Sequence, residues 1–390
     1  MRHLILLFAF FIFSYSAIAQ ETVQGILKNL ETNKPVEYVI VVANNSGKTT
    51  VSNSEGRYQI QTTKEDTKLL FKHLDFFTKE LDIKSQKTST IFLQPSTESL
   101  EEIVILSIPL RDELMKAIKT SQNNFSNNIK VNTYYRELMY INDGMYLFED
   151  AEIDYYVQSI NKTDIIVKNS RSVKFTNDSA KKFDSLSKVT YYWGDLTTNI
   201  SDEFDFRLVK NVINSKEYEM YITRKVTADG VELNVLNFAP IDNAKNATLK
   251  GTVVYGKDDY LIREIKAELD PKFKINSKFE QQQSNHRFKT SFRNKTTLFN
   301  IHNNKYTLAY NSVRIFGVSN VLNQVTKVGG VVELLVDHID DKFPKPNKND
   351  FFTRMKLTPL GKNYKTKFWE KFNSVPLIQS EEQMLKQISK

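Results

Sequence analysis

The chain has 390 residues, a formal net charge of +8 at neutral pH and no cysteine. Without cysteine it cannot be a lipoprotein anchored at its cleavage site, and it lacks the disulfides usual in exported eukaryotic proteins; with the Asn-, Lys- and Phe-rich composition, this indicates a Gram-negative bacterial envelope. Lysines and arginines are scattered along the sequence, which favours an ordinary solvated surface over a nucleic-acid partner.

The first predicted element is an export signal over residues 1–19. Basic Arg2 precedes an apolar run at residues 4–13, and Ala-Ile-Ala follows at residues 17–19. This order and length are typical of a secretory signal peptide. We expect cleavage between Ala19 and Gln20. No later apolar stretch approaches the roughly eighteen residues that suggest a transmembrane helix.

Residues 20–106 are predicted to form a small β-sandwich. Seven short alternating or β-branched runs are separated by turn sequences every 8–12 residues or so, a pattern typical of sandwiches. The apolar residues expected to meet between the two sheets are Val23, Val39, Val41, Tyr58, Ile60, Leu69, Phe71, Phe76, Leu81, Ile91 and Leu93. The glycine, asparagine and proline residues that form these turns all lie within the segment, so we expect residues 20–106 to fold alone.

The same segment resembles the carboxypeptidase regulatory-like domain. The matching sequence features are Gly25, Lys34-Pro35-Val36, Val41, residues 47–50 (GKTT), residues 53–58 (NSEGRY) and residues 69–71 (LLF). The resemblance implies a seven-stranded sandwich of the transthyretin (prealbumin) type. Many Bacteroidota envelope proteins, including TonB-dependent receptors, open with this domain, which accompanies catalytic domains without containing the catalytic site. Asp75 stands where the family commonly has glycine, so Asp75 should take the turn position.

A polar linker is predicted over residues 96–102, with a domain boundary near residue 107. A helix should follow, because Pro109 suits a first turn and acidic residues 112 and 113 suit the helix dipole. Leu110, Leu114 and the pair at residues 117–118 form its apolar stripe, and the helix should end near residues 122–124.

Residues 107–390 are predicted to form a large antiparallel, incurved sheet with a few helices. Hairpin turns stand at residues 142–144, 228–230 and 256–259 between long alternating runs. The hairpin at residues 251–265 is similar to the incurved sheet of lipoprotein carriers. Residues 134–137, 148–156 and 368–377 resemble uncharacterised Bacteroidota proteins that join the same sandwich to a large β region. The tail predicts helices at residues 363–372 and from Ser380, with Gln383 completing a capping box.

A search for chemistry finds no catalytic, cofactor-binding or metal-binding motif. The histidines lack zinc-peptidase spacing, and no Gly-x-Ser-x-Gly, P-loop or dinucleotide fingerprint occurs. His338 with Asp340 and Asp341 could bind a metal, although an exposed charged turn is favoured. Acidic residues 149–154 alternate along one predicted strand and are expected to form a solvated sheet face. Most aromatic residues of this region should be core, unless an incurved sheet encloses a ligand.

Two short sequences, Asp178-Ser179-Ala180 and Asp184-Ser185-Leu186, resemble the O-glycosylation signal of Bacteroidota envelope proteins. Both lie in a polar stretch that a modifying enzyme could reach. Ser179 and Ser185 are therefore the predicted attachment sites.

Three functions remain open from the sequence. The leading one is a non-enzymatic envelope binding or scaffold protein, with the sandwich contacting another envelope protein and the large sheet carrying a ligand such as a glycan or lipid. The second is an envelope hydrolase acting on glycan or peptide, with Glu149, Glu152 or Asp340 in its site. The third is a lipid or lipoprotein carrier that uses the incurved sheet.

Overall fold

A computed structural model of the chain describes residues 21–85, 89–96, 99–142, 144–175, 195–227, 229–276, 280–283, 286–302, 305–321, 323–357, 368–369, 372 and 375–388. Within this part of the chain, seven strands form two small sheets and twelve form one large sheet. The predicted class is confirmed: a mostly β protein with an N-terminal sandwich, a large antiparallel sheet and few helices.

The N-terminal sandwich consists of a three-stranded and a four-stranded sheet. Its strands are β1 (Glu21–Asn29), β2 (Ile40–Ala43), β3 (Thr49–Val51), β4 (Arg57–Thr62), β5 (Lys68–His73), β6 (Phe76–Asp82) and β7 (Ser89–Leu93). The orders are β4-β1-β7 and β3-β2-β5-β6. All eleven predicted core residues contribute to the cluster between the sheets, although Phe76 and Leu81 are only partly buried.

Local backbone geometry explains several sandwich turns. Gly56 has φ +71°, and a β-carbon there would lie 2.3 Å from the carbonyl oxygen of Leu27, so only glycine fits. Asp75 occupies the turn between β5 and β6, as predicted. Strand β2 begins at Ile40, although the β-branched and apolar run begins at Val36, since Tyr38 adopts a left-handed backbone with φ +61°.

The predicted linker is partly wrong. Residues 99–103 form strand β8 (Ser99–Ile103), which pairs antiparallel with strand β12 (Tyr218–Val226) at one edge of the large sheet. Backbone pairing thus binds much of this polar stretch to the second region. The domain boundary near residue 107 stays a prediction.

The large sheet is antiparallel, with the order β11-β10-β9-β19-β18-β17-β15-β14-β13-β12-β8, and β16 pairs with β17 beside this path. Its other strands are β9 (Ile129–Ile141), β10 (Gly144–Ser159), β11 (Lys162–Lys174), β13 (Glu232–Pro240), β14 (Leu249–Gly256), β15 (Ile262–Leu269), β16 (Glu280–Gln283), β17 (His286–His302), β18 (Lys305–Val321) and β19 (Gln324–Asp340). Asn142 and Gly230 have positive φ at two of the predicted hairpin turns.

The described α-helices are α1 (Leu110–Asn124), α2 (Asn199–Phe204), α3 (Arg207–Asn214), α4 (Pro271–Asn276) and α5 (Gln379–Ile388). Short 3-10 helices lie at Ile83–Ser85 and Lys348–Asp350. Helix α1 matches the predicted start, end and apolar stripe, with Leu114 and Ile118 fully buried. The predicted helix at residues 363–372 falls mainly outside the described residues.

The two faces of the large sheet have different coverings, because alternate residues of a strand point to opposite sides. On one side, called the helix face, sheet residues such as Tyr135, Ile153 and Leu236 pack with α1, α2 and α3. On the other side, called the sandwich face, Tyr134 and Tyr310 pack with the sandwich, and α5 covers a neighbouring area.

Candidate ligand-binding site

A buried ionic network lies at the centre of the sandwich face. Arg136 on β9 is 3% exposed, and its cross-strand partner Glu333 on β19 is 4% exposed. Nη1 of Arg136 lies 3.3 Å from Oε2 of Glu333, and Nη2 of Arg314 lies 3.5 Å from Oε1. The Tyr310 hydroxyl donates to the same Oε1 at 2.8 Å. One carboxylate therefore faces two guanidinium groups.

These charges are stabilised by one another rather than by water. Burial acts to lower the pKa of Arg136 and of Arg314, but the Glu333 carboxylate and nearby tyrosine oxygens hold both above the ordinary arginine value. Both arginines are thus cationic in the fold. The Nε atoms of Arg136 and Arg314 are buried without a hydrogen-bond partner among the described residues, so each guanidinium retains an unused donor.

A second carboxylate is paired beside this network. Asp150 is fully buried and accepts from the Tyr134 hydroxyl at 2.9 Å. Arg171 donates to both of its oxygens, from Nε at 2.6 Å and from Nη2 at 2.8 Å, the two-bond geometry that arginine forms with carboxylates. The guanidinium also lies 4.6 Å from the ring centroid of Trp369. Asp150 therefore has a structural role.

The sandwich packs directly on this face. The rings of Tyr38 and Tyr310 lie 5.9 Å apart between centroids, and Val51 is buried in the same cluster. The Thr49 hydroxyl donates to the carbonyl oxygen of Val336. The outer side of the four-stranded sheet thus packs on the protein's own large sheet.

The C-terminal segment joins the sandwich to the sheet. The Asn53 side chain donates to the carbonyl oxygen of Pro376 at 3.0 Å, and Arg57 forms an ion pair of 2.8 Å with Glu382 on α5. From the other side, Nη2 of Arg136 donates to the carbonyl oxygen of Val375 at 2.7 Å. The turn that carried the family resemblance therefore positions α5.

The predicted N-terminal cap of α5 is wrong. The helix begins at Gln379, so Ser380 lies inside its first turn. The capping carboxylate is Glu381, which accepts from the backbone N–H of Ile378 at 3.1 Å and from the Tyr140 hydroxyl at 3.2 Å. Burial, and then the nearby Glu333 carboxylate, raise the pKa of Glu381.

A cavity of about 500 Å³ lies between α5 and strands β17, β18 and β19. Phe316, Val318 and Val331 line the sheet side, and Met384 lines the helix side. The space exists partly because Gly329 lacks a side chain: a β-carbon there would lie 2.1 Å from Cδ1 of the Phe316 ring. The ring therefore lies against the strand.

Charged groups stand at the border of this cavity. Arg314, Lys327 and Glu381 all line it. Two cationic side chains thus stand against one acid among the charged residues that line the cavity, so positive charge predominates along the wall. Apolar walls with a few polar groups at one side are typical of small-molecule sites.

The acids proposed for a hydrolase do not share one site. Glu149 is 1% exposed, pairs across the sheet with Glu137 and accepts from the Ser172 hydroxyl at 2.7 Å. Their register places these side chains on the helix face, whereas Glu152 and Asp340 lie on the sandwich face. The expectation of a solvated acidic strand is therefore wrong: Glu149, Asp150 and Asp154 are all buried.

The carboxyl group of Glu137 is perturbed by this pairing. Burial, and then the Glu149 carboxylate opposite it, raise the pKa of Glu137 to about 7. The Tyr135 hydroxyl donates to Oε2 of Glu137 at 3.0 Å. Glu137 can therefore hold a proton near neutral pH while it is enclosed under the helix face.

The metal candidate on β19 forms ordinary polar pairs. Nε2 of His338 lies 2.9 Å from Oδ1 of Asp340, which also pairs with Lys130 at 2.6 Å. Asp341 pairs with Lys305 at 2.9 Å. Among the residues with described side chains, no three His, Asp or Glu groups are arranged to hold a metal ion.

Other predicted positions have mixed outcomes. Tyr134, Tyr135, Tyr140, Tyr146, Phe148 and Tyr155 are buried, which confirms most of the aromatic core, and Tyr156 is half-buried. Tyr191, Tyr192, Trp193, the cleavage pair Ala19 and Gln20, and the serines Ser179 and Ser185 lie outside the described residues. Over the described part of the chain, none of the helices has the length and apolar character needed to cross a lipid bilayer.

Sequence reasoning missed the residues of the network and the cavity. Arg136, Arg314 and Glu333 looked like ordinary charges on alternating strands. One signal was available, because Glu333 stands between Val331-Val332 and Leu334-Leu335, where a charge must be buried with its neighbours. Its partners come from other strands, and their distance in sequence hid the pairing.

Comparison with known proteins supports the reading of the N-terminal region. Residues 23–105 match the family model of the CarboxypepD_reg-like domain. The resemblance seen in the sequence is thereby confirmed for this region. Over 106 residues, the chain is 24% identical to the TonB-dependent receptor P3 of Formosa agariphila. The aligned part covers 27% of this chain, and the chain spans 11% of that receptor's length.

Two solved structures share limited geometry with the chain. One, on lipid–protein interactions in lipovitellin, has a TM-score of 0.24 and 7% identity, covering 57% of this chain and 26% of its own. The other is a DUF1329 family protein from Desulfovibrio piger, with a TM-score of 0.23, 8% identity and coverage of 60% and 93% respectively. Scores this low do not indicate a common fold.

Proposed function

We propose that the protein is a non-enzymatic binding protein of the bacterial cell envelope that holds a small ligand between its large sheet and α5. The observation that carries this proposal is the cavity of about 500 Å³, whose apolar walls meet charged groups beside a buried ionic network. On the helix face, by contrast, α1, α2 and α3 pack into the apolar surface of the sheet. The sandwich serves as a scaffold, because its turn at Asn53 and Arg57 fixes the helix that covers the cavity.

Native mass spectrometry of protein purified from its own envelope tests this function. We expect a bound small molecule with wild type and its loss with Val318→Trp, which fills the cavity from a half-buried position. The control is Val325→Trp, where the side chain is 65% exposed and the ligand should remain. Identical spectra for wild type and Val318→Trp would contradict the proposal.

A specific observation supports the hydrolase as a second candidate. Glu137 has a pKa of about 7 and stands opposite Glu149, and many hydrolases use a carboxyl group with a raised pKa next to a second carboxyl group. Against it, the two residues are only 6% and 1% exposed. Turnover of a glycan or peptide panel that disappears in both Glu137→Gln and Glu149→Gln would favour this candidate over binding.

Export is part of the same proposal. It is supported by the signal sequence and by the match to the CarboxypepD_reg-like domain, and a relative over 106 residues is a TonB-dependent receptor. The intact mass of protein from the native envelope should correspond to residues 20–390, with added mass if Ser179 and Ser185 carry glycans. Retention of residues 1–19 would contradict export. A mass unchanged by Ser179→Ala with Ser185→Ala would contradict the modification.

A further inference from the structure

We propose that the ligand of this cavity is a single-chain amphiphile with an anionic head group, such as an alkyl carboxylate, whose head binds Arg314 and whose chain lies between the sheet and α5. This inference rests on the proposed function, because it names the ligand class of the same cavity. It is carried by the placement of apolar side chains and of one incompletely used guanidinium around that space.

The apolar side chains that line the cavity favour a ligand with an alkyl chain. Phe316, Val318 and Val331 from the sheet and Ile378 and Met384 from the C-terminal segment surround the space. An alkyl chain placed there is transferred from water to an apolar surface. Burial of its apolar area contributes about 25 cal/mol per Å² to the free energy of binding. Methionine adapts its shape to irregular ligands. A sugar would place hydroxyl groups against these walls without partners.

The head group is selected by Arg314. Its side chain is 22% exposed, and the Glu333 carboxylate that it contacts is also paired with Arg136 and Tyr310. The Nε of Arg314 is buried without a partner among the described residues. An anionic head would pair with the exposed part of the guanidinium, whereas a neutral head would leave the charge underpaired and a cationic head would be repelled.

Glu381 lies on the opposite wall of the cavity. Burial, and then the neighbouring Glu333, raise the pKa of Glu381, so its negative charge is lost at a higher pH than in an exposed glutamate. Glu381 caps α5 through the N–H of Ile378 and contacts the Tyr140 hydroxyl. Both carboxyl oxygens of Glu381 are thus already engaged by groups of the protein, Oε2 by the N–H of Ile378 and Oε1 by the Tyr140 hydroxyl.

Titration calorimetry with four probes separates head from chain. Dodecanoate, dodecanol and dodecyltrimethylammonium share one alkyl chain and differ in head charge, and acetate supplies the head without the chain. With the full-length protein we expect dodecanoate to bind at least about tenfold more tightly than the other two alkyl probes, since tenfold corresponds to about 1.4 kcal/mol. Acetate should show no measurable binding.

Variants locate the head group. Arg314→Gln should weaken dodecanoate binding by about tenfold or more and change dodecanol binding less than about twofold. Arg314→Lys, which keeps the charge but loses the fork, should give an intermediate loss. Arg207→Gln removes the same charge from α3 on the helix face, where the side chain is 74% exposed, and should change nothing. Because Glu333 keeps Arg136 and Tyr310, Arg314→Gln should fold, as a thermal melt will verify.

Each contrary outcome has its own meaning. Equal affinity for all three alkyl probes, abolished by Val318→Trp, would overturn the anionic class and leave the cavity's binding function standing. Acetate binding as tight as that of dodecanoate would replace the amphiphile with a plain anion. Dodecanoate binding unchanged by folded Arg314→Gln would overturn the role of Arg314. Alkyl binding that Val318→Trp does not reduce would contradict the ligand class and the proposed function together.

Discussion

The helix face and the sandwich face are formed by alternate residues of the same strands, yet each is covered in a different way. On the helix face, aromatic and aliphatic side chains pack against α1, α2 and α3, as around fully buried Phe204. On the sandwich face, Arg136, Glu333 and Asp150 are buried in matched pairs, and the cavity lies beside them. Apolar packing fills space without regard to direction, whereas buried charges require partners at fixed positions, and such constrained packing can leave a cavity next to them.

The largest expected effect is on the helix face. Phe204→Ala should lower the free energy of unfolding by about 3–5 kcal/mol, because its ring lies 4.1 Å from that of Phe125 and 5.2 Å from that of Phe299 and would leave a cavity. Chemical denaturation measures this. The control Phe292→Ala, where the ring is 41% exposed, should cost far less. Similar losses in both variants would show that the helix face is not the main core.

On the sandwich face, the free energy of unfolding should depend on whether the buried charges are paired rather than on the volume of the side chains. Arg136→Met should destabilise the protein by about 3 kcal/mol, since Glu333 loses its nearest cation. Adding Glu333→Gln should recover part of that loss, because the underpaired charge is then removed. Denaturation of the single and double variants measures this coupling. If the double variant recovers no stability, the loss of side-chain volume rather than of charge pairing determines stability on this face as well.

The helix face also contains a buried carboxyl group, that of Glu137, which should make the stability of the protein depend on pH. The pKa of Glu137 is about 7 in the fold and ordinarily 4.5, so between these values the folded protein holds a proton that the unfolded chain has lost. Stability should therefore fall as the pH rises through this window, by on the order of 3 kcal/mol. Glu137→Gln should flatten that part of the profile. A decline of equal size in the variant would assign the dependence to another group.

The smallest expected effect is that of removing the large sheet on the folding of the sandwich. Its core cluster draws only on residues 23–93, so residues 20–106 alone should show a cooperative thermal transition and dispersed amide resonances. Tyr38 and Val51 would become exposed, and β8 would lose its pairing with β12, so amide exchange in β8 should be fast. A collapsed chain without a transition would mean that the sandwich depends on the sheet for its own fold.

Local patterns determined the elements of this protein. Alternation predicted the long strands, glycine and asparagine marked their turns, and the stripe of Leu114 and Ile118 predicted α1, because each signal lies within a few neighbouring residues. The predictions were wrong where the local structure depends on contacts with residues that are distant in sequence or outside the predicted pattern. Strand β8 was read as a linker because its polar sequence pairs with a strand more than a hundred residues away. Ser380 was predicted as the cap from the local Ser-x-x-Gln pattern, whereas the capping contact is made by Glu381, which accepts from the N–H of Ile378.

By itself, the sequence determined the mostly β class, the N-terminal sandwich and its family resemblance, since these depend on periodicity and turn chemistry. Only the tertiary structure decided that Arg136, Arg314 and Glu333 meet, and that α5 covers a cavity beside them. The physical reason is that a charged residue on an alternating strand has the same local pattern whether its face meets water or another layer. Burial of that face depends on how the sandwich and the C-terminal segment pack against the sheet, which no local pattern encodes.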